Sequence, residues 1–152
     1  MKAFLYAGRW ISKVGDIPII CDADTGFDDI EKTVSNYIEA GFSGLHIEDQ
    51  VFPKRCGHLS GKEVIGRGEM GAKIKIACAV RDKLNPDFII IGRTDARGAK
   101  NIDEKDQFKE SISRGAFYLQ EGADMVFPES LQNQGEFAVY RKQVPGFLMA
   151  NM

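Results

Sequence analysis

The chain has 152 residues, 43% of them apolar and 28% charged, with a formal net charge of −2. These are the proportions of an ordinary globular protein, and the length makes one domain over residues 1–152 the expectation. A charge so near balance offers no basic face for nucleic acid.

No apolar run approaches the roughly 18 residues of a membrane span, so no membrane partner is expected. The N-terminal run Met1-Lys-Ala-Phe-Leu-Tyr-Ala-Gly-Arg-Trp10 becomes charged too soon for a signal peptide. The three cysteines, Cys21, Cys56 and Cys78, are odd in number and lack zinc-type spacing. They read as free thiols of a reducing cytoplasm.

In chain order, Lys2 to Val14 predicts a helix with Phe4, Leu5, Ile11 and Val14 as its apolar positions. After a turn at Gly15-Asp16, the run Ile17-Pro-Ile-Ile-Cys-Asp-Ala-Asp24 predicts a strand buried on both faces and closing on two acids. Thr25-Gly-Phe27 is a loop, and Asp28 or Asp29 can cap the next helix. Ile30, Val34, Tyr37 and Ile38 set that helix, which Gly41 stops. Phe42 to Glu48 is the second strand. The polar stretch from Asp49 to Gly61 is longer than an ordinary strand-to-helix connection, as functional lids are.

A helix from Gly66 to Leu84 follows, with Met70, Ile74, Ala77, Cys78 and Leu84 turned inward and Asn85-Pro86-Asp87 as its breaker. Phe88 to Asp95 is the third strand. Asp103 caps a helix bearing Phe108, Ile112, Ala116 and Leu119, ended by Gly122. Ala123 to Glu129 is the fourth strand, Gly135 to Lys142 a short helix, and Phe147 to Asn151 a fifth strand.

Strand and helix alternate five times, which means right-handed βαβ units and a parallel sheet. The choice lies between an open doubly wound sheet and a (β/α)8 barrel. No glycine-rich phosphate loop follows the first strand, which weighs against the open nucleotide-binding sheet. In a barrel every strand delivers its last residues to one mouth. Here successive strand ends carry Asp22 and Asp24, Glu48 and Asp49, Arg93 and Asp95, and Glu129. Five strands are too few to close a barrel. The fold class expected is α/β, a partial (β/α)8 TIM barrel.

Asp22, Asp24 and Glu48 concentrate negative charge that a cation can offset, and all-oxygen ligation selects Mg2+ or Mn2+ over zinc. The plainer alternative is helix caps and solvated loop ends. In Lys54-Arg-Cys-Gly-His58, neighbouring cations favour the thiolate of Cys56 and pull its pKa below about 8.5. The alternative there is a cysteine that merely falls in a surface loop. Cys21 and Cys78 lie in apolar patterns and read as core residues. His46, between Leu45 and Ile47, reads as a hydrogen-bonded buried histidine.

Ile20-Cys-Asp-Ala-Asp-Thr-Gly-Phe27, His46-Ile-Glu-Asp-Gln50, Lys54-Arg-Cys-Gly-His58, Gly92-Arg-Thr-Asp-Ala96, Phe127-Pro-Glu129 and Leu148-Met-Ala-Asn151 occur in that order. Together they resemble the isocitrate lyase and phosphoenolpyruvate mutase superfamily, methylisocitrate lyases most of all. The resemblance implies a Mg2+ site at the barrel mouth and a homo-oligomer, often a tetramer. By position it makes Asp22, Asp24 and Glu48 the metal-site acids. Arg93, with Glu129 and Asn151, becomes the group that binds a di- or tricarboxylate substrate. Cys56, Gly57 and His58 become the mobile catalytic loop, Cys56 supplying the proton. Within the superfamily a Cys-Gly-His loop marks carbon–carbon lyases rather than phosphonomutases.

The implied reaction cleaves 2-methylisocitrate to succinate and pyruvate, or isocitrate to succinate and glyoxylate. Alternatives are oxaloacetate decarboxylase, dimethylmalate lyase, or a truncated non-catalytic remnant. The family would lead one to expect two further βα units upstream of Ile17, and one strand with C-terminal helices after Asn151. The loop Thr25 to Ile30 is shorter than the family's by about three residues, with Asp28 where a glycine is expected. Five strands alone leave unpaired sheet edges, so the expectation is weak stability, self-association, or part of a longer product.

Overall fold

The computed structural model describes residues 2–15, 17–54 and 61–151. Its elements alternate as expected: α1 (Lys2–Val14), β1 (Ile20–Asp22), α2 (Ile30–Glu39), β2 (Gly44–Glu48), α3 (Arg67–Leu84), β3 (Ile89–Thr94), α4 (Glu104–Gln120), β4 (Met125–Pro128), α5 (Gln134–Gln143) and β5 (Phe147–Leu148). The strands form one parallel sheet in the order β1-β2-β3-β4-β5. Strict chain order, with no reversal, is the wall of a (β/α)8 barrel rather than a doubly wound sheet. The fold is a partial (β/α)8 barrel.

Register sorts the side chains. In a parallel sheet, paired residues stand on the same face. Asp22 pairs with His46 and His46 with Ile91, while Glu48 pairs with Arg93 and Arg93 with Phe127. These rows face the barrel interior. The alternate rows, Leu45 with Ile90 and Ile47 with Gly92 and Val126, face the helices.

The main core is built on that helix side. Leu45, Ile47 and Ile90 pack with Val34 and Tyr37 of α2, Met70, Ile74 and Ala77 of α3, and Tyr118 of α4. A second cluster joins Ile112, Val126, Tyr140 and Val144. At Gly92 a β-carbon would stand 3.0 Å from Tyr118 Cδ2 and 3.2 Å from Ile74 Cδ1, so the bare backbone is what lets both helices seat.

Several local expectations are corrected. β1 occupies only Ile20–Asp22 of the apolar run. Pro18 has no N–H to donate to a ladder, and beyond Asp22 the chain turns, with Asp24 at φ 50°. β5 is likewise short, pairing through Phe147 and Leu148 alone.

Asp29 caps α2, its side chain accepting from the Lys32 N–H at 3.1 Å. Asp103 takes the same place at α4 through its carbonyl, with no side-chain cap bond. Leu84 is 49% exposed rather than inward. Ile11 and Val14 of α1 are also exposed. No helix among the described residues is long and apolar enough to cross a membrane.

Candidate active site at the strand mouth

β1 and β2 end side by side, and their acids meet on one cation. Asp24 donates its backbone N–H to Asp22 Oδ1 at 2.7 Å, an Asx turn that folds the chain back. The strand expected to run to Asp24 ends at Asp22, and turn chemistry brings the two acids together. The Tyr37 hydroxyl of α2 donates to the Asp22 carbonyl at 2.9 Å and pins the strand end.

Lys54 then brings its ammonium into contact with Asp24 Oδ1, 3.7 Å from Glu48 Oε1 and 3.8 Å from Asp22 Oδ2. Glu48 is fully buried, and neither of its carboxylate oxygens has a hydrogen-bond partner among the described residues. Burial pushes its pKa up to about 7 against the pull of Arg93.

Two buried, unbonded carboxylate oxygens beside two further acids suit a cation. Among the described residues no group of three His, Cys, Asp or Glu side chains is closed enough to hold a metal by itself, and the Lys54 ammonium stands between the acids. His46 lies next to them, its Nδ1 3.6 Å from Asp22 Oδ1. Burial holds its imidazole below the ordinary value despite that acid. Contrary to expectation, Nδ1 has no hydrogen-bond partner among the described residues.

β3 and β4 supply the second half of the mouth. Arg93 lies 3.5 Å from Glu48 through Nε and 3.4 Å from Glu129 through Nη2, with its guanidinium 5.0 Å from the centre of the Phe127 ring. Asp95, two residues on, takes Nε at 2.9 Å and Nη2 at 3.1 Å. All these polar contacts use the Nε–Nη2 edge of the fork. Asn151 Nδ2 donates to Glu129 Oε2 at 3.4 Å. The residues expected to bind substrate therefore do gather. A cavity of about 640 Å3 opens beside them, lined by Glu129, Ser130, Leu131, Phe137 and Asn151 among others. Cys56, Gly57 and His58 lie outside the described residues.

Other residues hold this mouth together and were not singled out as site residues. Asp49, fully buried, accepts from the Asp95 N–H at 2.8 Å, from the Tyr118 hydroxyl at 2.6 Å and from Arg114 Nη1 at 3.0 Å. Lys62, only 2% exposed, reaches Asp95 Oδ1 at 3.4 Å and donates to Ser130 Oγ at 3.0 Å. Asp49 and Asp95 carried a signal as strand-end acids. Lys62 and Arg114 carried none, since each meets its partner only across the fold.

Phosphoenolpyruvate phosphomutase is the family whose sequence model matches, over residues 1–152. The chain is 42% identical over 145 residues to 2,3-dimethylmalate lyase of Eubacterium barkeri, covering 93% of this chain and 47% of that one. It is 40% identical over 153 residues to 2-methylisocitrate lyase of Escherichia coli (strain K12), covering 95% and 47%. It thus spans about half the length of the curated relatives it matches.

Among solved structures, a 2,3-dimethylmalate lyase, described as a PEP mutase/isocitrate lyase superfamily member, superposes with TM-score 0.90 at 29% identity, over 99% of this chain and 50% of that one. A phosphonopyruvate hydrolase in complex with oxalate and Mg2+ superposes with TM-score 0.79 at 31% identity, over 97% and 50%.

Proposed function

The chain belongs to the phosphoenolpyruvate phosphomutase family, and on that premise we propose that it carries the cation- and carboxylate-binding mouth of a carbon–carbon lyase. Its substrate class is 2-hydroxy di- and tricarboxylates, with 2-methylisocitrate or isocitrate first. The observation that carries this reading is the convergence of Asp22, Asp24 and Glu48 on one ammonium beside Arg93. When all are ionised, five carboxylates (Asp22, Asp24, Glu48, Asp95, Glu129) face three fixed cations (Lys54, Lys62, Arg93) among the described residues. That excess of two negative charges supports a divalent cation as ligand.

Asp22, Asp24 and Glu48 would hold Mg2+, or Mn2+ in its place, directly or through water. That ion, when bound, supplies polarisation of the substrate hydroxyl and its neighbouring carboxylate. Arg93 pairs with a second carboxylate, through charge-assisted hydrogen bonds that set the direction of the bond to be cleaved. Glu129, 3.4 Å from Arg93, and Asn151 line the cavity beside it.

As the carbon–carbon bond breaks, the hydroxyl-bearing carbon becomes the carbonyl of pyruvate or glyoxylate, and its hydroxyl proton passes to a base, a carboxylate of the mouth or water. The electron pair goes to the carbon next to the remaining carboxylate. The Cys56 thiol delivers a proton there, giving succinate. Cys56, Gly57 and His58 support lyase rather than phosphorus chemistry by their resemblance to the superfamily's lyase loop.

A second reading, cleavage of 2,3-dimethylmalate, is favoured by the 42% identity to the Eubacterium barkeri enzyme. The oxalate and Mg2+ held by the phosphonopyruvate hydrolase support a small carboxylate as ligand in either reading. The protein is read as cytoplasmic, a compartment that suits the free thiols of Cys21 and Cys78, and as a homo-oligomer.

The test is incubation of the protein with Mg2+ and each candidate acid, products being read by NMR. Succinate with pyruvate or glyoxylate, lost on chelation and in Cys56→Ser, is the expected result. Pyruvate from 2,3-dimethylmalate alone selects the second reading. No turnover of any of these acids sinks both.

A further inference from the structure

Lys62 is a buried ammonium held from several directions. Its Nζ lies 3.4 Å from Asp95 Oδ1 and donates to Ser130 Oγ at 3.0 Å, so it joins the end of β3 to the residue following Glu129. Its carbonyl accepts from the Lys100 N–H at 2.8 Å. Its stem runs past Gly98, where φ is 95° and a β-carbon would come within 3.3 Å of Lys62 Cε.

The flanking chain is fixed as well. Val51 N–H donates to the Glu63 carbonyl at 2.8 Å and Ile65 N–H to the Asp49 carbonyl at 2.9 Å. Asn101 clamps the Val64 N–H and carbonyl at 3.1 and 2.9 Å. The backbone on either side of Lys62 is thus held in place, and from it the ammonium reaches Asp95 and Ser130.

Asp95 is the acid that Lys62 meets, and Asp95 also grips Arg93 by Nε and Nη2. With Glu48 and Glu129 at 3.5 and 3.4 Å, Arg93 faces three carboxylates. Alone, its single positive charge would be overcompensated and an incoming carboxylate repelled. We propose that Lys62 is a positioning residue for substrate binding. It neutralises Asp95 so that Asp95 orients the Arg93 guanidinium without cancelling its charge toward an anionic carboxylate. The inference rests on the carboxylate-binding reading of Arg93 above.

The test is calorimetric titration of the protein with Mg2+ alone and then with oxalate at saturating Mg2+, in wild type, Lys62→Met and Lys62→Arg. Lys62→Met is expected to weaken oxalate at least tenfold or so, while Mg2+ alone binds as tightly or more so. Lys62→Arg, which keeps the charge, should recover oxalate to within about threefold of wild type. A merely structural lysine would not separate the two ligands in this way. Oxalate binding within about twofold of wild type in Lys62→Met, or equal loss in the Met and Arg variants, overturns the proposal.

If Lys62→Met does not melt cooperatively, Ser130→Ala removes the hydroxyl that Lys62 donates to. A fall in oxalate affinity of about threefold, with Mg2+ retained, is then expected, and no fall overturns the proposal. Failure of the wild-type protein to bind oxalate removes the carboxylate-binding reading and this inference with it. Binding by wild type with an unaffected Lys62→Met removes the inference alone.

Discussion

Glu48 concentrates the physics of the site in one side chain. Its carboxylate is buried without hydrogen bonds among the described residues, and desolvation raises its pKa from an ordinary 4.5 to about 7. A raised carboxylate means that folding favours the protonated acid. The resulting stability is present at low pH and is lost as pH rises from the ordinary value through about 7, with a limiting slope of about 1.4 kcal/mol per pH unit. In chelator, the midpoint of thermal unfolding should therefore be higher near pH 5.5 than near pH 8. Added Mg2+ should narrow the gap by offsetting the ionised form. A melting midpoint that rises with pH in chelator would rule this out.

A second residue allows a separate check. Burial raises the Cys78 thiol to about 11, and its Sγ donates to the Gly122 carbonyl at 3.1 Å. At pH 8 its thiolate fraction is then on the order of one in a thousand, so Cys78 should alkylate hundreds of times more slowly than a free thiol. Mass spectrometry of the native protein against a denatured control reads this directly.

At the scale of elements, the mouth depends on how α4 is braced against the strand ends. Arg114 of α4 pairs with Asp49 Oδ2 at 3.0 Å and donates to the Ile65 carbonyl at 2.9 Å, while Asp49 holds the Asp95 N–H. Arg114→Met leaves that buried carboxylate without its cation and should cost about 3–5 kcal/mol. Tyr118→Phe removes one hydrogen bond from the same acid and should cost about 1–3 kcal/mol. Chemical denaturation of the two variants side by side tests the order, and equal losses would deny the ion pair its separate role.

α4 also meets α5 closely at Gly115, where a β-carbon would lie 2.1 Å from the Tyr140 hydroxyl oxygen. That hydroxyl donates to the Ser111 carbonyl at 3.0 Å in the buried interface. Gly115→Ala forces Tyr140 out of place and should cost about 1–3 kcal/mol by overpacking, despite the better helix propensity of alanine. A variant as stable as wild type would show that the two helices can separate freely.

Over the whole molecule, apolar surface is distributed unevenly. The helical side of the sheet is filled, whereas α1 leaves Tyr6, Trp10, Ile11 and Val14 more than half exposed. Ile17 and Phe147 are exposed to a similar degree, at 79% and 77%. Apolar surface of this extent favours association. Light scattering coupled to size exclusion should give a mass above 16.9 kDa that grows with concentration. Trp10→Glu, in the middle of the exposed patch, should lower it. A monodisperse monomer at all concentrations would contradict this.

The alternation of apolar runs with helical periodicity, the parallel sheet and the charged residues at the first four strand ends follow from the sequence alone. Each is a property of neighbours along the chain. The motifs from Ile20 to Phe27 and from His46 to Gln50 likewise carried the resemblance without any coordinates. Tertiary structure decided what the charges do to one another. Lys62 meets Asp95 across 33 residues, and Arg114 meets Asp49 across 65, separations that leave no periodic trace. It also decided that Asp22 and Asp24 converge by a turn, that Glu48 is buried without a hydrogen bond among the described residues, and that Arg93 is shared among three acids. The physical reason is the same in each case: burial and charge coupling arise when distant strand ends are brought to one mouth, and only the folded sheet sets those distances.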